Sequence, residues 1–247
     1  MIGEGKSNGP GIFITFEGGE GAGKTTQVNF LAGALRQLGC DVVVLREPGG
    51  TPIGEALRKV VLDVGNSEMA PETELLIYEA ARAQLVREVI VPALAADKVV
   101  LCDRFYDSSI AYQACGRGLP RNFVQQANNF ACQGIHPCRT ILLTMDAPAE
   151  EGLERATHHG NADRLEQAGV GFHTAVNEAF RQIASENPER VRVVSSAGSK
   201  PETARAIFKE VADIFEWGNV DEVFPEGFFE VINQVNTDQK ATIPGMA

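Results

Sequence analysis

The chain has 247 residues, of which 44% are hydrophobic and 22% are charged. This length and composition predict one or two folded domains with a sizeable core and exclude wholesale disorder. The net charge is −11. Long nucleic acids and anionic membranes are therefore not expected as partners, although a local positive pocket could still bind a small phosphorylated ligand.

The N-terminal residues and the cysteines indicate the cellular compartment in which the protein is expected. Residues 1–10 are expected to be flexible and lack the apolar core of a signal peptide, and no apolar stretch approaches the roughly 20 residues that span a bilayer. The five cysteines are odd in number and form no C-x-x-C pair, which favours reduced, buried thiols over disulfides or a metal site. These features predict a cytoplasmic protein.

Short apolar runs alternate along the chain with longer stretches of helical period. Strands are predicted at 12–16, 42–45, 99–102, 140–145 and 191–194. Helices are predicted at 25–38 and 53–62, from Pro71 to a kink near Pro92, and at 121–133, 149–157, 165–186 and 201–216. The strands are apolar throughout, which is typical of strands covered on both faces. Five such strands separated by helices predict a parallel α/β sheet with right-handed crossovers, within residues 11–216.

The last part of the chain, residues 217–247, breaks this pattern. It contains five acidic residues and one lysine, and Phe224, Phe228 and Phe229 look exposed. We expect this acidic extension to be partly disordered or to dock on a partner.

A glycine-rich loop follows the first predicted strand directly and opens the next helix. It matches G-x-x-x-x-G-K-[ST] in the strand–loop–helix context that the motif requires. Glycines allow successive backbone N–H groups to point at phosphate oxygens, and the helix N-terminus adds its positive dipole end. Lys24 is expected to reach the β- and γ-phosphates, and the Thr25 hydroxyl to bind Mg²⁺. The predicted ATP-binding residues are Gly18, Gly19, Glu20, Gly21, Ala22, Gly23, Lys24, Thr25 and Thr26.

This loop does not name a reaction, because switches, motors and small-molecule kinases share it. Charged residues at the ends of the neighbouring strands add information. Asp103 ends the third strand, where ligands of open α/β sheets bind, and could hold Mg²⁺ directly or through water. Arg104 follows it and Arg46 ends the second strand, and two guanidinium groups suit a second phosphate. A surface ion pair at the strand end is the alternative.

Tyr78 and Arg82 lie four residues apart on the apolar face of a predicted helix. Because a buried lone cation is costly, Arg82 needs a partner. A base stacked on Tyr78 and hydrogen-bonded by Arg82 is one solution. On the helix pattern alone, a core tyrosine with an arginine that extends to the surface is favoured.

Together the segments FEGGEGAGKTTQ, REPGGTPIGE, YEAAR, DRFYDSSIAYQACGRGLP and DRLE resemble thymidylate kinases of the bacterial type. The resemblance covers about residues 11–216 in the right order. It implies the P-loop fold of nucleoside monophosphate kinases, transfer of a phosphoryl group from ATP to dTMP to give dTDP, a requirement for Mg²⁺, and a homodimer.

The resemblance also implies roles for individual residues. Glu20 would hold the 3′-hydroxyl of the acceptor sugar, and Arg46 and Arg104 its phosphate. Tyr78 would stack on thymine, and Arg82 would hydrogen-bond its edge. The base pocket would be completed by Ser108, Ser109, Tyr112 and Gln113.

Phosphoryl transfer requires cationic groups beside the negatively charged phosphoryl group that is transferred. Residues 19–22 of the glycine-rich loop contain no basic side chain, so a further cation must come from elsewhere. Related kinases supply an arginine from a mobile lid, which corresponds here to residues 155–164. Thr157 and His159 stand where bacterial members usually carry arginines, so Arg155 and Arg164 are expected to act with Lys24 and Arg104 in catalysis. Adjacent histidines face apart on a helix, which disfavours His158 and His159 as a metal pair.

Two alternatives remain open at this point. One is a kinase for another nucleoside monophosphate or for a deoxynucleoside. The other is a non-catalytic nucleotide-binding module, which only the lid's missing arginines favour.

Overall fold

The computed structural model describes residues 11–157 and 162–234. Its centre is a five-stranded parallel sheet in the order β2-β3-β1-β4-β5. The strands are β1 Ile12–Glu17, β2 Val42–Arg46, β3 Val99–Asp103, β4 Arg139–Thr144 and β5 Val191–Ser195. The predicted parallel α/β sheet is thus confirmed, and each strand lies within a residue or two of its expected position.

Helices cover both faces of this sheet. They are α1 Lys24–Gln37, α2 Pro52–Leu62, α3 Pro71–Leu85, α4 Val91–Ala95, α5 Tyr106–Ser109, α6 Arg121–Cys132, α7 Ala149–Thr157, α8 Val170–Glu186, α9 Lys200–Val211 and α10 Val220–Val223. Alternate strand residues enter different cores. Ile14 and Leu101 pack with α1 and α9, whereas Phe13 and Val100 pack with the end of the α3–α4 region. No helix in the described part of the chain is both long enough and apolar enough to cross a membrane.

The α3–α4 region departs from regular helical geometry just before Pro92. A π-helical turn, Val86–Ile90, joins α3 to α4, and Pro92 lies in the first turn of α4. Proline has no N–H to donate and its ring clashes with the carbonyl four residues earlier, so the predicted distortion is accommodated as a local widening of the helix.

The sequence pattern missed the helical segment after β3. Residues 106–109 form α5, and a π-helical stretch continues as Ile110–Gly116. Serines, a tyrosine and a glycine interrupt its apolar period, so tertiary contacts rather than propensity hold it in place. This segment carries four of the predicted base-pocket residues.

The described part of the C-terminal extension packs on its own domain, so the expectation of exposed phenylalanines is wrong. Phe224, Phe228 and Phe229 are at most 6% exposed. They surround Phe208 of α9, with ring centroids 4.9–5.9 Å away, and Phe228 also lies 5.4 Å from Phe30 of α1. Apolar burial explains this docking despite the acidic composition. Residues 1–10 and 235–247 lie outside the described residues.

Candidate active site

The glycine-rich loop turns sharply between β1 and α1. Gly18 and Gly21 have φ angles of 137° and 68°, which other residues rarely adopt. A Cβ atom on Gly18 would lie 2.3 Å from the Leu143 carbonyl oxygen, and one on Gly21 would lie 2.2 Å from that of Gly152. Glycine is therefore required at both positions by conformation and by space.

Lys24 begins α1 and turns back over the loop. Its Nζ donates hydrogen bonds to the carbonyl oxygens of Gly18, at 3.0 Å, and Gly19, at 2.8 Å. Burial and the nearby Arg104 guanidinium lower the pKa of Lys24 to about 8, against the opposing charge of Glu20. A bound phosphate would favour the charged form.

Thr25 and Asp103 meet at the carboxyl end of β3. The Thr25 hydroxyl donates to Asp103 Oδ2 over 2.6 Å. A hydroxyl and a carboxylate are oxygen ligands of the kind that Mg²⁺ prefers, so the two predicted residues fit the metal.

Glu20, Arg104 and Tyr112 form a cluster that joins the glycine-rich loop to the region after β3. Glu20 Oε1 accepts hydrogen bonds from Arg104 Nη2, at 2.9 Å, and from the Tyr112 hydroxyl, at 2.6 Å. Burial alone would raise the pKa of Glu20, but the charges of Arg104 and Lys24 outweigh it and lower the pKa to about 2. Glu20 is therefore an anion that fixes the Arg104 guanidinium.

Arg46 lies at the other side of the same cleft. Its guanidinium donates to Glu55 Oε2 at 3.1 Å and to the Pro48 carbonyl oxygen at 3.3 Å, and its side chain is about half exposed. Arg58 of α2 donates to the same carbonyl at 3.0 Å and also lines the cleft. Arg58 was missed in the sequence because it sits in a helix with no recognisable motif.

Arg82 is 1% exposed, so the alternative of an arginine that extends to the surface is wrong. Its Nε and Nη2 donate to Glu47 Oε2 at 2.9 and 2.6 Å. Its Nη1 contacts Glu79 Oε1 at 2.6 Å, Asn128 Oδ1 at 2.7 Å and Ser109 Oγ at 2.9 Å. Burial raises the pKa of Glu47 to about 7, although Arg82 opposes this. The partners that Arg82 required are thus carboxylates, which the sequence did not identify.

Ser108 and Gln113 are each held by a buried carboxylate. The Ser108 hydroxyl donates to Glu17 Oε2 at 2.6 Å, and Gln113 Nε2 donates to Glu74 Oε1 at 2.9 Å. Burial raises the pKa of Glu17 to about 8, with the Asp107 charge acting in the same direction. Glu17 also accepts the backbone N–H of Phe105, so it positions the whole turn after β3.

The two lid arginines are placed differently. Arg155, in the last turn of α7, lines the cleft. Arg164 is buried and donates to Glu74 Oε2 at 2.6 Å and to the Val61 carbonyl oxygen at 2.8 Å. Its charge is matched by Glu74 and it is not among the residues that line the cleft, so its expected catalytic role stays a prediction. Residues 158–161, with both lid histidines, lie outside the described residues.

A single cleft of about 520 Å³ brings most of the predicted residues together. Its donor side is lined by Glu20, Gly21, Ala22, Gly23, Lys24, Thr25, Thr26 and Asp103. Its acceptor side is lined by Arg46, Tyr78, Arg82, Arg104, Ser108, Ser109, Tyr112 and Gln113. Gly18 and Gly19 line a smaller cavity behind the loop.

Comparisons with known proteins agree with this arrangement. The sequence model of the thymidylate kinase family matches residues 16–207. Thymidylate kinases from Geotalea uraniireducens and Deinococcus radiodurans are each 47% identical over 203 residues, covering 80% and 82% of this chain and 94% and 97% of theirs. A crystal structure of thymidylate kinase from Ehrlichia chaffeensis superposes with a TM-score of 0.66 at 31% identity, covering 81% of this chain and 98% of that one. The chain belongs to the thymidylate kinase family.

Proposed function

We propose that this protein transfers the γ-phosphoryl group of Mg²⁺-bound ATP to dTMP, giving ADP and dTDP. The observation that carries the proposal is the shared cleft, in which a phosphate loop faces a second cationic site and an aromatic base platform. Membership of the family supports the same reaction. P-loop switches and motors do not need a binding site for a second, phosphate-accepting substrate, whereas a small-molecule kinase does.

The donor half binds the ATP phosphates. Backbone N–H groups of the loop and the N-terminus of α1 cradle the phosphate oxygens, and Lys24 leaves its loop carbonyls to contact the β- and γ-phosphates. Thr25 and Asp103 would hold Mg²⁺. When bound, this ion neutralises charge on the β- and γ-phosphate oxygens.

The acceptor half holds dTMP in line with the donor. Arg104 and Arg46 bind its phosphate, and Glu20, already ionised, accepts a hydrogen bond from the 3′-hydroxyl. Tyr78 stacks on thymine. One N–H of Arg82 Nη2 has no acceptor within the described residues and donates to the base edge. Phosphoryl transfer needs chiefly such positioning plus positive charge, and Arg155 supplies further charge from the lid.

Measurement of ADP release with Mg²⁺-ATP and each of dTMP, dUMP, UMP and thymidine tests the proposal. We expect release that depends on dTMP and weakens sharply with dUMP. Equal use of UMP would favour another nucleoside monophosphate kinase, and use of thymidine would favour a nucleoside kinase. Tight ATP binding without turnover on any acceptor would favour a non-catalytic module.

The protein is also proposed to act as a homodimer through α2, α3 and α6, which pack side by side. These helices expose the large apolar side chains Ile53, Val60, Leu76, Phe123 and Phe130. Light scattering coupled to gel filtration should give twice the chain mass, and Phe130→Glu should lower it. A monomeric wild-type protein would contradict this proposal.

A cytoplasmic location is proposed as well, since the five cysteines are free and ATP and dTMP are intracellular metabolites. Fractionation of cells that express the protein would test it.

A further inference from the structure

Glu74 is the first of three residues spaced four apart on one face of α3, followed by Tyr78 and Arg82. Tyr78 and Arg82 line the cleft, whereas Glu74 is 0% exposed and, within the described residues, does not line it. A fully buried carboxylate is unfavourable unless it is hydrogen-bonded and its charge is balanced. The groups that bond Glu74 therefore indicate what it holds in place.

The two carboxylate oxygens of Glu74 bond different parts of the chain. Oε1 accepts a hydrogen bond from Gln113 Nε2 at 2.9 Å, and Oε2 accepts one from Arg164 Nη2 at 2.6 Å. Arg117 bonds both oxygens, with Nε 3.2 Å from Oε1 and Nη2 3.0 Å from Oε2. Burial alone would raise the pKa of Glu74, but these hydrogen bonds and the charge of Arg117 lower it, so the group is an anion.

Gln113 is the partner of Glu74 on the acceptor side of the cleft. It belongs to the π-helical stretch Ile110–Gly116, and Arg117 is the residue at which that stretch ends. Glu74 thus ties the stretch to α3 at two points one helical turn apart. Because an ionised carboxylate only accepts hydrogen bonds, it also fixes the Gln113 amide with its NH₂ end towards α3.

Arg164 is the partner of Glu74 on another wall of the cleft. It lies between Asp163 and Leu165, both of which line the cleft. Its Nε donates to the Val61 carbonyl oxygen at 2.8 Å, and Asp163 Oδ1 accepts the backbone N–H of Leu165 at 2.9 Å. The turn around Arg164 is therefore compact, and a displacement of the Arg164 side chain would displace this wall as well.

We propose that Glu74 is a positioning residue for the transfer reaction, which sets two walls of the cleft in a fixed relationship by bonding Gln113 and Arg164 at once. A shift of the shared carboxylate would break hydrogen bonds on both sides. This inference rests on the proposed function, which assigns Gln113 to the dTMP site. Glu74 itself touches neither substrate, since its side chain is buried.

Steady-state kinetics of Glu74→Gln, which keeps the volume but removes the charge, test the proposal. The kcat/KM for dTMP should fall roughly thirtyfold, because both walls lose their fixed positions, while the KM for ATP stays within about twofold. The matched control is Arg139→Ala. Arg139 is also buried and bonds Asp213 Oδ2 at 2.7 Å, but it begins β4, at the end of the sheet opposite the cleft. Its loss should lower the melting temperature and leave kcat/KM unchanged.

A double-mutant cycle separates positioning from stability. In a Gln113→Ala background, Glu74→Gln should cause a loss of kcat/KM for dTMP that is at least about threefold smaller than in the wild type, since one of its contacts is already absent. Glu74→Asp keeps the charge between the two arginines but withdraws the carboxylate. It should be more stable than Glu74→Gln and still impair dTMP use, and it serves if the glutamine variant does not fold.

Hydrogen exchange measures the two walls directly. Peptides that cover residues 110–117 and 162–168 should exchange faster in Glu74→Gln than in the wild type, with no general increase elsewhere. Arg139→Ala should not produce this local pattern. The pattern distinguishes a positioning role from a general loss of stability.

Two results would overturn the inference. Unchanged kcat/KM for dTMP in Glu74→Gln would mean that Glu74 contributes only to stability, and fully additive effects in the cycle would mean that it does not act through Gln113. Either result, with a wild-type protein that uses dTMP, would reject this inference alone. A wild-type protein that does not use dTMP would reject the proposed function together with this inference.

Discussion

Arg104 donates a hydrogen bond to Glu20 over 2.9 Å and thereby ties the acceptor side of the cleft to the phosphate loop. Arg104 adopts a φ of 70°, an uncommon conformation for a residue with a side chain, and its N–H is bonded to the Phe16 carbonyl oxygen. The guanidinium also lies 5.1 Å above the Tyr112 ring. The donor and acceptor halves are therefore held in a fixed relationship before either substrate binds.

Lys24→Ala should lower kcat by at least about a hundredfold, because it removes the cation nearest the β- and γ-phosphates. ADP release under saturating dTMP measures this. The fold should persist, since among the described residues Lys24 Nζ bonds only to two carbonyl oxygens of its own loop. Near-normal turnover would contradict the placement of ATP.

Arg82→Ala should raise the KM for dTMP far more than that for ATP. It should also lower the free energy of unfolding by about 3–5 kcal/mol, because two buried carboxylates lose their common partner. Urea denaturation measures the second effect. The control is Arg181→Ala, which breaks an exposed pair with Glu178 and should change stability by less than about 1 kcal/mol.

Arg155→Ala and Arg164→Ala should separate catalysis from stability. Removal of Arg155, which lines the cleft, should lower kcat about a hundredfold with little effect on unfolding. Removal of Arg164 leaves buried Glu74 with fewer partners and should lower the free energy of unfolding by about 3 kcal/mol. A lower kcat in Arg164→Ala with an unchanged free energy of unfolding would instead support the predicted role of Arg164 in catalysis.

Phe229→Ala should lower the free energy of unfolding by about 3–5 kcal/mol, since it opens a cavity in the aromatic cluster around Phe208. Trp217, the single tryptophan, stacks on Phe208 at a centroid distance of 5.5 Å and reports the cluster by its fluorescence. Val193→Ala, at a half-exposed side chain of the edge strand β5, is the control. If both substitutions changed the free energy of unfolding equally, residues 217–234 would not unfold together with the rest of the domain.

Glu17 makes stability depend on pH in a direction opposite to that of an ordinary ion-paired carboxylate. Burial raises its pKa from 4.5 to about 8, so the folded protein keeps a proton that the unfolded chain releases. Its contribution is therefore fully present below about pH 4.5 and is lost as the pH rises towards 8. The stability of the wild type relative to Glu17→Gln, from urea denaturation at several pH values, should fall across this range. A flat difference would contradict the raised pKa.

Much of the donor side was determined by the sequence alone. The glycine-rich loop can be recognised from sequence because its conformation depends on eight consecutive residues, from Gly18 to Thr25, between a strand and a helix. The strands were also predictable, because burial on both faces leaves continuous apolar runs such as residues 99–102. The acceptor motifs extended this to a reaction class through their resemblance to a known family, and the family comparisons agree.

The pairing of buried charges was decided only by the tertiary structure. Arg164 meets Glu74 from 90 positions away, and Arg82 meets Glu47 from 35. No periodicity records such partners, because each arginine is neutralised by whichever carboxylate the fold brings within hydrogen-bond distance. The phenylalanines of 217–234 were misjudged for the same reason: composition records their acidic neighbours, whereas their burial depends on the faces of α1 and α9 that the fold presents to them.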